Sequence, residues 1–216
     1  MSIITISREI GSGGDEVAHK LCEVLGYRYF DKSLMTEVAV KMGISENEVI
    51  DYSEDSYKLR SFIDNLFRRK EPLATVTVKG TNTSGAITQM TEILDEERAL
   101  KLIQRTIERL RERNNVVIVG RGSQVILRDA PGVLHIRIVA PLEQRISRIM
   151  MNRSLTRSEA RDYIASKDKA SEEYLHRFYG VDWNDPALYH LIVNMGKWSI
   201  EEATGIIQDA LSRLPS

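Results

Sequence analysis

The sequence has only one cysteine in 216 residues, so it can form neither an intrachain disulfide nor a zinc site with several cysteine ligands. No run approaches the roughly 20 consecutive apolar residues that a membrane span requires. The first residues show no basic segment ahead of an apolar core, which a signal peptide would have. These absences predict a cytoplasmic protein without a membrane partner.

The chain also lacks an excess of charge of one sign. It has 30 Lys and Arg residues against 31 Asp and Glu residues, for a formal net charge of -1. Domains that bind nucleic acid usually carry a basic excess, so no nucleic-acid partner is predicted. With 42% hydrophobic and 28% charged residues, the composition is typical of globular proteins, and the length is sufficient for a large core.

Short apolar strands alternate with amphipathic helices along the chain. The run from Ile3 to Ile6 is β-branched, and a helix with apolar residues at three- and four-residue spacing follows and ends at Gly26. Such alternation predicts an α/β fold, with a parallel sheet flanked by helices on both faces. The other predicted strands are 27–30, 116–119, 133–139 and 190–194, and the other helices are 90–114, 142–154, 156–177 and 199–213.

The segment between residues 32 and 88 interrupts this alternation. Its first part, to about residue 70, has a helical pattern, whereas residues 73–88 are rich in Thr, Ser, Gly and Asn. We predict a helical insertion that ends in a long loop or a mobile hairpin.

A glycine-rich turn joins the first strand to the first helix. Gly11-Ser12-Gly13-Gly14 lies where backbone N–H groups and the helix dipole can bind a phosphate group. The spacing does not match the dinucleotide-binding motif, and the chain contains no G-x-x-x-x-G-K-[ST] motif. Turns of this composition also occur without a ligand, so the residues alone leave both interpretations open.

The same segment resembles the opening of cytidylate kinases without a gap from Ile4 to Tyr27. Gly120-Arg121-Gly122 is similar to the segment that holds the pyrimidine nucleotide in those kinases. Ser7-Arg8 followed by Gly11-Ser12-Gly13-Gly14, together with Phe30-Asp31-Lys32, is similar to the cytidylate kinase-like family in particular. The resemblance extends over most of the chain.

This resemblance implies a single domain over residues 1–216 with the fold of P-loop nucleoside monophosphate kinases. Residues 32–88 would be an acceptor-binding insertion and residues 156–180 a lid. The implied ligands are ATP with Mg²⁺ and a nucleotide acceptor such as CMP or dCMP. The implied phosphate-binding residues are Arg8, Gly11, Ser12, Gly13 and Gly14, the acceptor-binding residues are Asp31 and Arg121, and the catalytic residues are Arg121, Lys169 and Arg177.

The sequence departs from these kinases at charged positions. Gly14 stands where the phosphate-binding lysine belongs, and Glu16, a candidate Mg²⁺ contact, stands where a hydroxyl belongs. Asp15 and Glu16 place two carboxylates beside the phosphate site, where each would repel a phosphate by roughly 4 kcal/mol at 4 Å and an effective dielectric of about 20. Gly122 replaces an aspartate. The loop lacks the Walker lysine, so either other cations compensate or the site is degenerate; the candidate cations are Arg8, Arg121, Lys167, Lys169 and Arg177.

Each of these residues also has a structural interpretation. Asp31 could cap a helix, Arg121 could form a structural salt bridge, and Lys169 and Arg177 could belong to a solvated helix face. The apolar stripe of helix 90–114 fits either the core or a homodimer interface. The alternative to a kinase is a nucleotide or anion sensor, or an interaction protein, without turnover.

Overall fold

A computed structural model of the chain describes residues 2–31, 74–81, 87–94 and 96–214. The chain divides into one unit of residues 1–30 and 110–216 and a second unit of residues 31–109. The strands are β1 (Ile3–Arg8), β2 (Arg28–Phe30), β3 (Ala74–Thr81), β4 (Ile87–Leu94), β5 (Val116–Val119), β6 (Val133–Val139) and β7 (Leu191–Asn194). The helices are α1 (Gly14–Leu25), α2 (Glu96–Arg113), α3 (Ser123–Ile126), α4 (Leu142–Arg153), α5 (Arg157–Tyr179) and α6 (Ile200–Ser212).

The first unit contains a five-stranded sheet in the order β2-β5-β1-β6-β7, and every pair is parallel. The strands are short, and β1, β5, β6 and β7 are rich in β-branched residues, as buried parallel strands are. Strand β1 lies at the centre, between β5 and β6, so the residues that follow it reach the middle of the carboxyl edge. Ligands of α/β sheets bind at this edge.

One face of the sheet forms the main core against α1 and α6. Alternate residues of the three central strands point to this face, and both helices cover them with apolar stripes. The predicted parallel sheet with flanking helices is confirmed. The buried residues of this core include Ile4, Ile6, Val17, Leu21, Val117, Val119, Leu134, Ile136, Ile138, Ala203 and Ile207.

The other face of the sheet holds a buried arginine, Arg137 of β6. Its Nη1 donates to the carbonyl oxygen of Trp183, its Nη2 donates to Asn184 Oδ1 at 2.8 Å, and its guanidinium lies 4.3 Å from the centre of the Trp183 ring. The Trp183 indole N–H in turn donates to Ser7 Oγ at 2.7 Å. These bonds anchor the polar turn that contains Trp183.

A buried histidine, His135, lies on the same face of the sheet, two residues before Arg137 in β6. Its Nδ1 lies 2.7 Å from Thr5 Oγ1, and its backbone N–H donates to His190 Nδ1 at 3.1 Å. Burial, reinforced by the charge of His190, lowers the pKa of His135 to about 4. His135 is therefore a neutral structural residue at neutral pH.

The described part of the second unit includes an antiparallel hairpin, in which β3 pairs with β4 from Ala74–Leu94 to Thr81–Ile87. The described residues within 73–88 belong to this hairpin and are not helical. The hairpin interpretation of this segment is therefore confirmed for those residues. The prediction of a helix from Met90 was wrong, because residues 90–94 belong to β4 and α2 begins at Glu96. The β-branched Ile and Thr residues of β4 favour pairing with the Thr- and Val-rich β3 over a helix.

Residues 32–73, which include the predicted helices of the insertion, lie outside the described residues. The single domain over 1–216, the acceptor-binding role of 32–88 and the lid over 156–180 stay predictions.

Several helices begin or end at residues that cap them. Thr156 and Glu159 form a capping box at the start of α5, and Ser199 and Glu202 form another at α6. Gly26 ends α1 in a left-handed conformation with φ 66°. None of the helices described here combines the length and the apolar character that crossing a membrane requires.

Candidate functional site

The glycine loop, residues 9–14, follows the central strand at the carboxyl edge of the sheet. Gly11 has φ 76° and Gly13 has φ 92°, a region that glycine enters without the steric cost of a Cβ atom. A Cβ atom at Gly11 would also lie only 2.9 Å from the carbonyl oxygen of Arg145 in α4. The loop can therefore form only with glycine at these places.

The start of α1 presents unpaired donors at the glycine loop. The N–H of Val17 makes the first bond of the helix, to Gly13 O at 3.0 Å, so the preceding N–H groups have no intrahelical acceptor. No side chain of the described residues caps this end. The Ser12 hydroxyl is buried and has no hydrogen-bond partner within the described residues. Free donors at the positive end of a helix dipole are suited to an anion.

Two helices fix the backbone of the glycine loop at Ile10. The Ile10 N–H donates to Asp168 Oδ1 of α5 at 3.0 Å, and the Ile10 carbonyl accepts from Arg145 Nε of α4 at 2.8 Å. The guanidinium of Arg145 is buried and forms ion pairs with Asp168 and, at 3.4 Å, with Glu9. The Glu9 carboxylate also accepts from the N–H of Ala140. These contacts hold the loop without a ligand.

A second arginine of α4 lies beside the glycines. Arg148 Nη1 donates to the carbonyl oxygens of Gly11 at 3.2 Å and Ser12 at 2.7 Å. Its guanidinium is close enough to Gly13 that a Cβ atom there would be 3.4 Å from Nη1. Arg148 therefore adds a positive charge at the loop that the residue pattern did not indicate.

We call Glu9, Arg145, Arg148 and Asp168 the loop clamp. Sequence reasoning assigned these four residues no role at the loop. One signal was available. Arg145 directly precedes Ile146 on the buried side of α4, and a charged residue at a buried position usually has a polar partner.

The side chain of Arg8 lies at the start of α1. Its Nε donates to Asp15 Oδ1 at 2.8 Å, so one of the two carboxylates beside the loop is paired with a cation. A Cβ atom at Gly14 would be 2.5 Å from Arg8 Cβ and 2.8 Å from Arg8 Cγ. No side chain fits at Gly14 while Arg8 keeps this position. Glu16 is exposed on the same turn of α1.

Arg121 lies between two glycines at the carboxyl end of β5. Gly120, Arg121 and Gly122 have φ 76°, 61° and 70°, and a left-handed conformation is strained for arginine. Burial raises the pKa of the nearby Tyr174 phenol, while the neighbouring Tyr179 and the charge of Arg121 oppose that rise. The structure thus brings Arg121 towards the aromatic end of α5.

The remaining predicted site residues are dispersed. Lys169 is exposed on α5 and lies 3.7 Å from Glu173 one turn later, and the guanidinium of Arg177 lies 5.5 Å from the centre of the Phe178 ring. Asp31 belongs to the second unit. The roles assigned to Lys169, Arg177 and Asp31 stay predictions, as do the phosphate-binding roles of Arg8, Gly11, Ser12, Gly13 and Gly14.

The described residues include no group of three or more His, Cys, Asp or Glu side chains that could hold a metal ion. Mg²⁺ in phosphotransfer sites is typically held by one or two carboxylates together with substrate phosphates and water. The exposed Glu16 carboxylate fits that requirement, whereas the Asp15 carboxylate is engaged by Arg8.

Comparison with known proteins gives a family and a fold. The model of the cytidylate kinase-like family matches residues 3–197. The cytidylate kinase of Pyrococcus horikoshii is 26% identical over 213 residues, which are 98% of this chain and 89% of that protein. The uronate isomerase of Corynebacterium glutamicum is 30% identical over 99 residues, 45% of this chain, but the match spans only 19% of that protein.

Solved structures agree on the fold. An uncharacterized protein from Eubacterium ventriosum superposes with a TM-score of 0.66 at 21% identity, covering 99% of both chains. The shikimate kinase of Bacteroides thetaiotaomicron superposes with a TM-score of 0.52 at 13% identity, covering 98% of both chains. These likenesses show the kinase-type α/β fold.

Proposed function

Because the chain belongs to the cytidylate kinase-like family, we propose that it binds ATP at the glycine loop and transfers the γ-phosphoryl group to a nucleoside monophosphate. The family and the fold support nucleotide binding and phosphoryl transfer in general. The observation that carries the proposal is the glycine loop itself, which presents the free N–H groups of α1 at the centre of the carboxyl edge. The loop clamp supports it further, because a preformed loop loses less entropy on binding.

Phosphoryl transfer depends on positioning and on cations that neutralise the phosphate oxygens. Arg8 is the proposed contact of the ATP phosphates, and Arg148, which is bonded to carbonyl oxygens of the loop, adds positive charge beside them. Lys169 and Arg177 of α5 are proposed to approach the transferred group when α5 acts as a lid. The adenine would lie by the residues that follow β7, from Met195 to Lys197.

Arg121 is the proposed contact of the acceptor phosphate. A guanidinium can bind two phosphate oxygens at once, and its strained backbone between two glycines is a feature that often marks a functional position. CMP and dCMP are the proposed acceptors, because the chain resembles cytidylate kinases. Gly122 offers no carboxylate to the base.

The proposed reaction is the transfer of one phosphoryl group from ATP to the acceptor phosphate. An oxygen of the acceptor phosphate attacks the γ-phosphorus of ATP, the bond from that phosphorus to the β,γ-bridging oxygen breaks, and ADP and a nucleoside diphosphate result. Mg²⁺, when bound with ATP, neutralises charge on the phosphate oxygens, and Glu16 is the residue proposed to contact it. The N–H groups of α1 and Arg8 hold the triphosphate, and Arg121 holds the acceptor. We propose the cytoplasm as the setting; a homodimer through residues 90–114 stays a prediction.

A nucleotide sensor without turnover is the second candidate. It is favoured by Gly14, which leaves no lysine at the loop and no space for one beside Arg8. An interaction module without a nucleotide site is weaker, because it leaves the preformed loop without a role.

One experiment separates these functions. Transfer from Mg·ATP is measured with CMP, dCMP, UMP and other monophosphates, and ATP binding is measured by calorimetry on the same protein. Turnover supports the kinase, binding alone supports the sensor, and neither result supports an interaction module. Gly13→Val is the loop control, because a β-branched residue cannot adopt φ 92° without strain, and it should abolish ATP binding in a folded protein.

A further inference from the structure

The side chain of Arg8 fills the space beside Gly14. We infer that Arg8 supplies the cation that holds the ATP phosphates at the glycine loop, and that Asp15 is the residue that positions it. The inference rests on the proposed function, since it concerns the same phosphate site. It assigns a role to Asp15, the carboxylate that the sequence had indicated as repulsive.

Steric evidence comes from the two residues in contact. A Cβ atom at Gly14 would lie 2.5 Å from Arg8 Cβ and 3.3 Å from Ile138 Cβ, so the stem of Arg8 occupies the volume of a side chain at position 14. A P-loop lysine begins at that position and reaches the β- and γ-phosphates. Arg8 enters the same space from the preceding strand. Glycine at 14 is thus the condition that lets Arg8 approach the loop.

Hydrogen-bonding evidence comes from Asp15. Its carboxylate accepts from Arg8 Nε, which leaves the two terminal nitrogens of the guanidinium without a partner within the described residues. One of them, Nη1, lies 3.0 Å from the place of a Cβ atom at Gly120. The side chain of Arg8 is 28% exposed, so its free donors can meet a ligand. An arginine fixed through Nε can offer both terminal nitrogens to a phosphate group.

Arg145 and Arg148 differ from Arg8 in this respect. Arg145 donates to the Ile10 carbonyl and forms ion pairs with Glu9 and Asp168. Arg148 donates to two carbonyl oxygens of the loop. Both arginines hold the protein backbone in place. Arg8 makes its bond with a side chain instead and keeps its terminal donors.

The test compares the effects of Arg8 and Asp15 on ATP binding, measured by calorimetry in EDTA. Arg8→Gln should weaken binding roughly tenfold or more, since hydrogen bonds to charged groups are strong. Asp15→Ala removes a negative charge from the loop, so repulsion alone predicts tighter binding. We expect Asp15→Ala to weaken binding several-fold, because Arg8 loses its position, and to cause no loss when Arg8→Gln is already present.

Glu16→Ala is the matched control. It removes the same charge from the same turn of α1, but Glu16 has no bond to Arg8, so metal-free ATP binding should tighten. Both Asp15 and Glu16 are exposed enough that these variants should fold, which circular dichroism checks. Tighter binding in Asp15→Ala, or unchanged binding in Arg8→Gln, would overturn the inference while leaving the proposed function intact. Absence of ATP binding in the unmodified protein would overturn both.

An exchange variant tests the steric part. Gly14→Lys alone should weaken ATP binding, because Arg8 Cβ and Cγ block the new side chain. Arg8→Gly removes both atoms, so Arg8→Gly/Gly14→Lys should bind ATP more tightly than either single variant. Such non-additivity is expected for residues in direct contact and not for independent sites. If the double variant binds ATP no better than Arg8→Gly, a lysine at position 14 cannot take the place of Arg8. That result would overturn the role of Gly14.

Discussion

The carboxylate of Asp168 accepts a hydrogen bond from the backbone N–H of Ile10 at 3.0 Å, although 158 residues separate them. The same carboxylate forms an ion pair with the buried guanidinium of Arg145, which donates to the carbonyl of Ile10. The middle of the longest described helix is therefore bonded directly to the glycine loop. A single side chain connects the predicted lid helix with the predicted phosphate site.

We predict that Asp168→Ala destabilises the protein by about 3 kcal/mol, because Arg145 would lose its principal carboxylate partner while buried. The measurement is urea-induced unfolding. Asp162→Ala is the control on the same helix, since Asp162 is exposed, and its effect should stay within about 0.5 kcal/mol. Equal effects of the two substitutions would contradict the structural importance of the loop clamp.

Two glycines with open surroundings should respond to alanine in opposite ways. Neither Gly205 nor Gly26 has an atom within 4 Å of the place of a Cβ atom, but only Gly26 has a left-handed conformation, with φ 66°. Gly205 lies inside α6, so Gly205→Ala should stabilise the protein by about 0.5–1 kcal/mol. Gly26→Ala should destabilise it by about 1 kcal/mol. Thermal unfolding of both variants checks this pair, and a shared sign would refute it.

Stability should fall on mild acidification because of His135. Its pKa is about 4 in the folded protein and about 6.5 in the unfolded chain, so the unfolded chain binds more protons between these values. The free energy of unfolding is therefore fully retained above pH 6.5 and decreases towards pH 4, by about 2–3 kcal/mol from this group.

Urea titrations from pH 7 to pH 4 measure this decrease. Thr5→Val/His135→Leu replaces both buried partners with apolar groups and should reduce the decrease. The control His176→Gln changes an exposed histidine of α5 and should retain it. If the double variant loses as much stability on acidification as the unmodified protein, His135 is not its source.

Arg137 should not tolerate replacement by lysine. The guanidinium group of Arg137 donates to the Trp183 carbonyl and to Asn184 Oδ1 and stacks on the Trp183 ring. A lysine ammonium group can reproduce only part of these contacts. We expect Arg137→Lys to cost about 2 kcal/mol in urea unfolding. Arg153→Lys, at an exposed site over the Tyr163 ring, is the control and should cost less than about 0.5 kcal/mol. A small change in Arg137→Lys would show that the charge alone suffices.

Local sequence patterns predicted most elements of the first unit. The β-branched runs, the period of α1 and the capping boxes at Thr156 and Ser199 each depend on residues close in the chain, so they could be found without a structure. The glycine loop was found for the same reason, because glycines after a strand and before a helix form a local motif.

The features that were missed depend on distant partners. Residues 90–94 continue the apolar stripe of α2, but pairing of β4 with β3 decides their conformation. Likewise, no local pattern shows that Asp168 bonds Ile10 or that Arg8 fills the space at Gly14. The carboxylates near the loop were interpreted as repulsive because a sequence shows charges without their ion-pair partners.

The central position of β1 has a consequence for biosynthesis. In the described part of the chain, residues 3–8 pair with β5 and β6, which begin at Val116 and Val133. A growing chain therefore carries this apolar strand without these partners for more than a hundred residues. Such non-local pairing slows folding and leaves a strand edge exposed to other chains. Nascent chains that end before residue 133 should therefore depend on chaperones, and the sheet can close only late in synthesis.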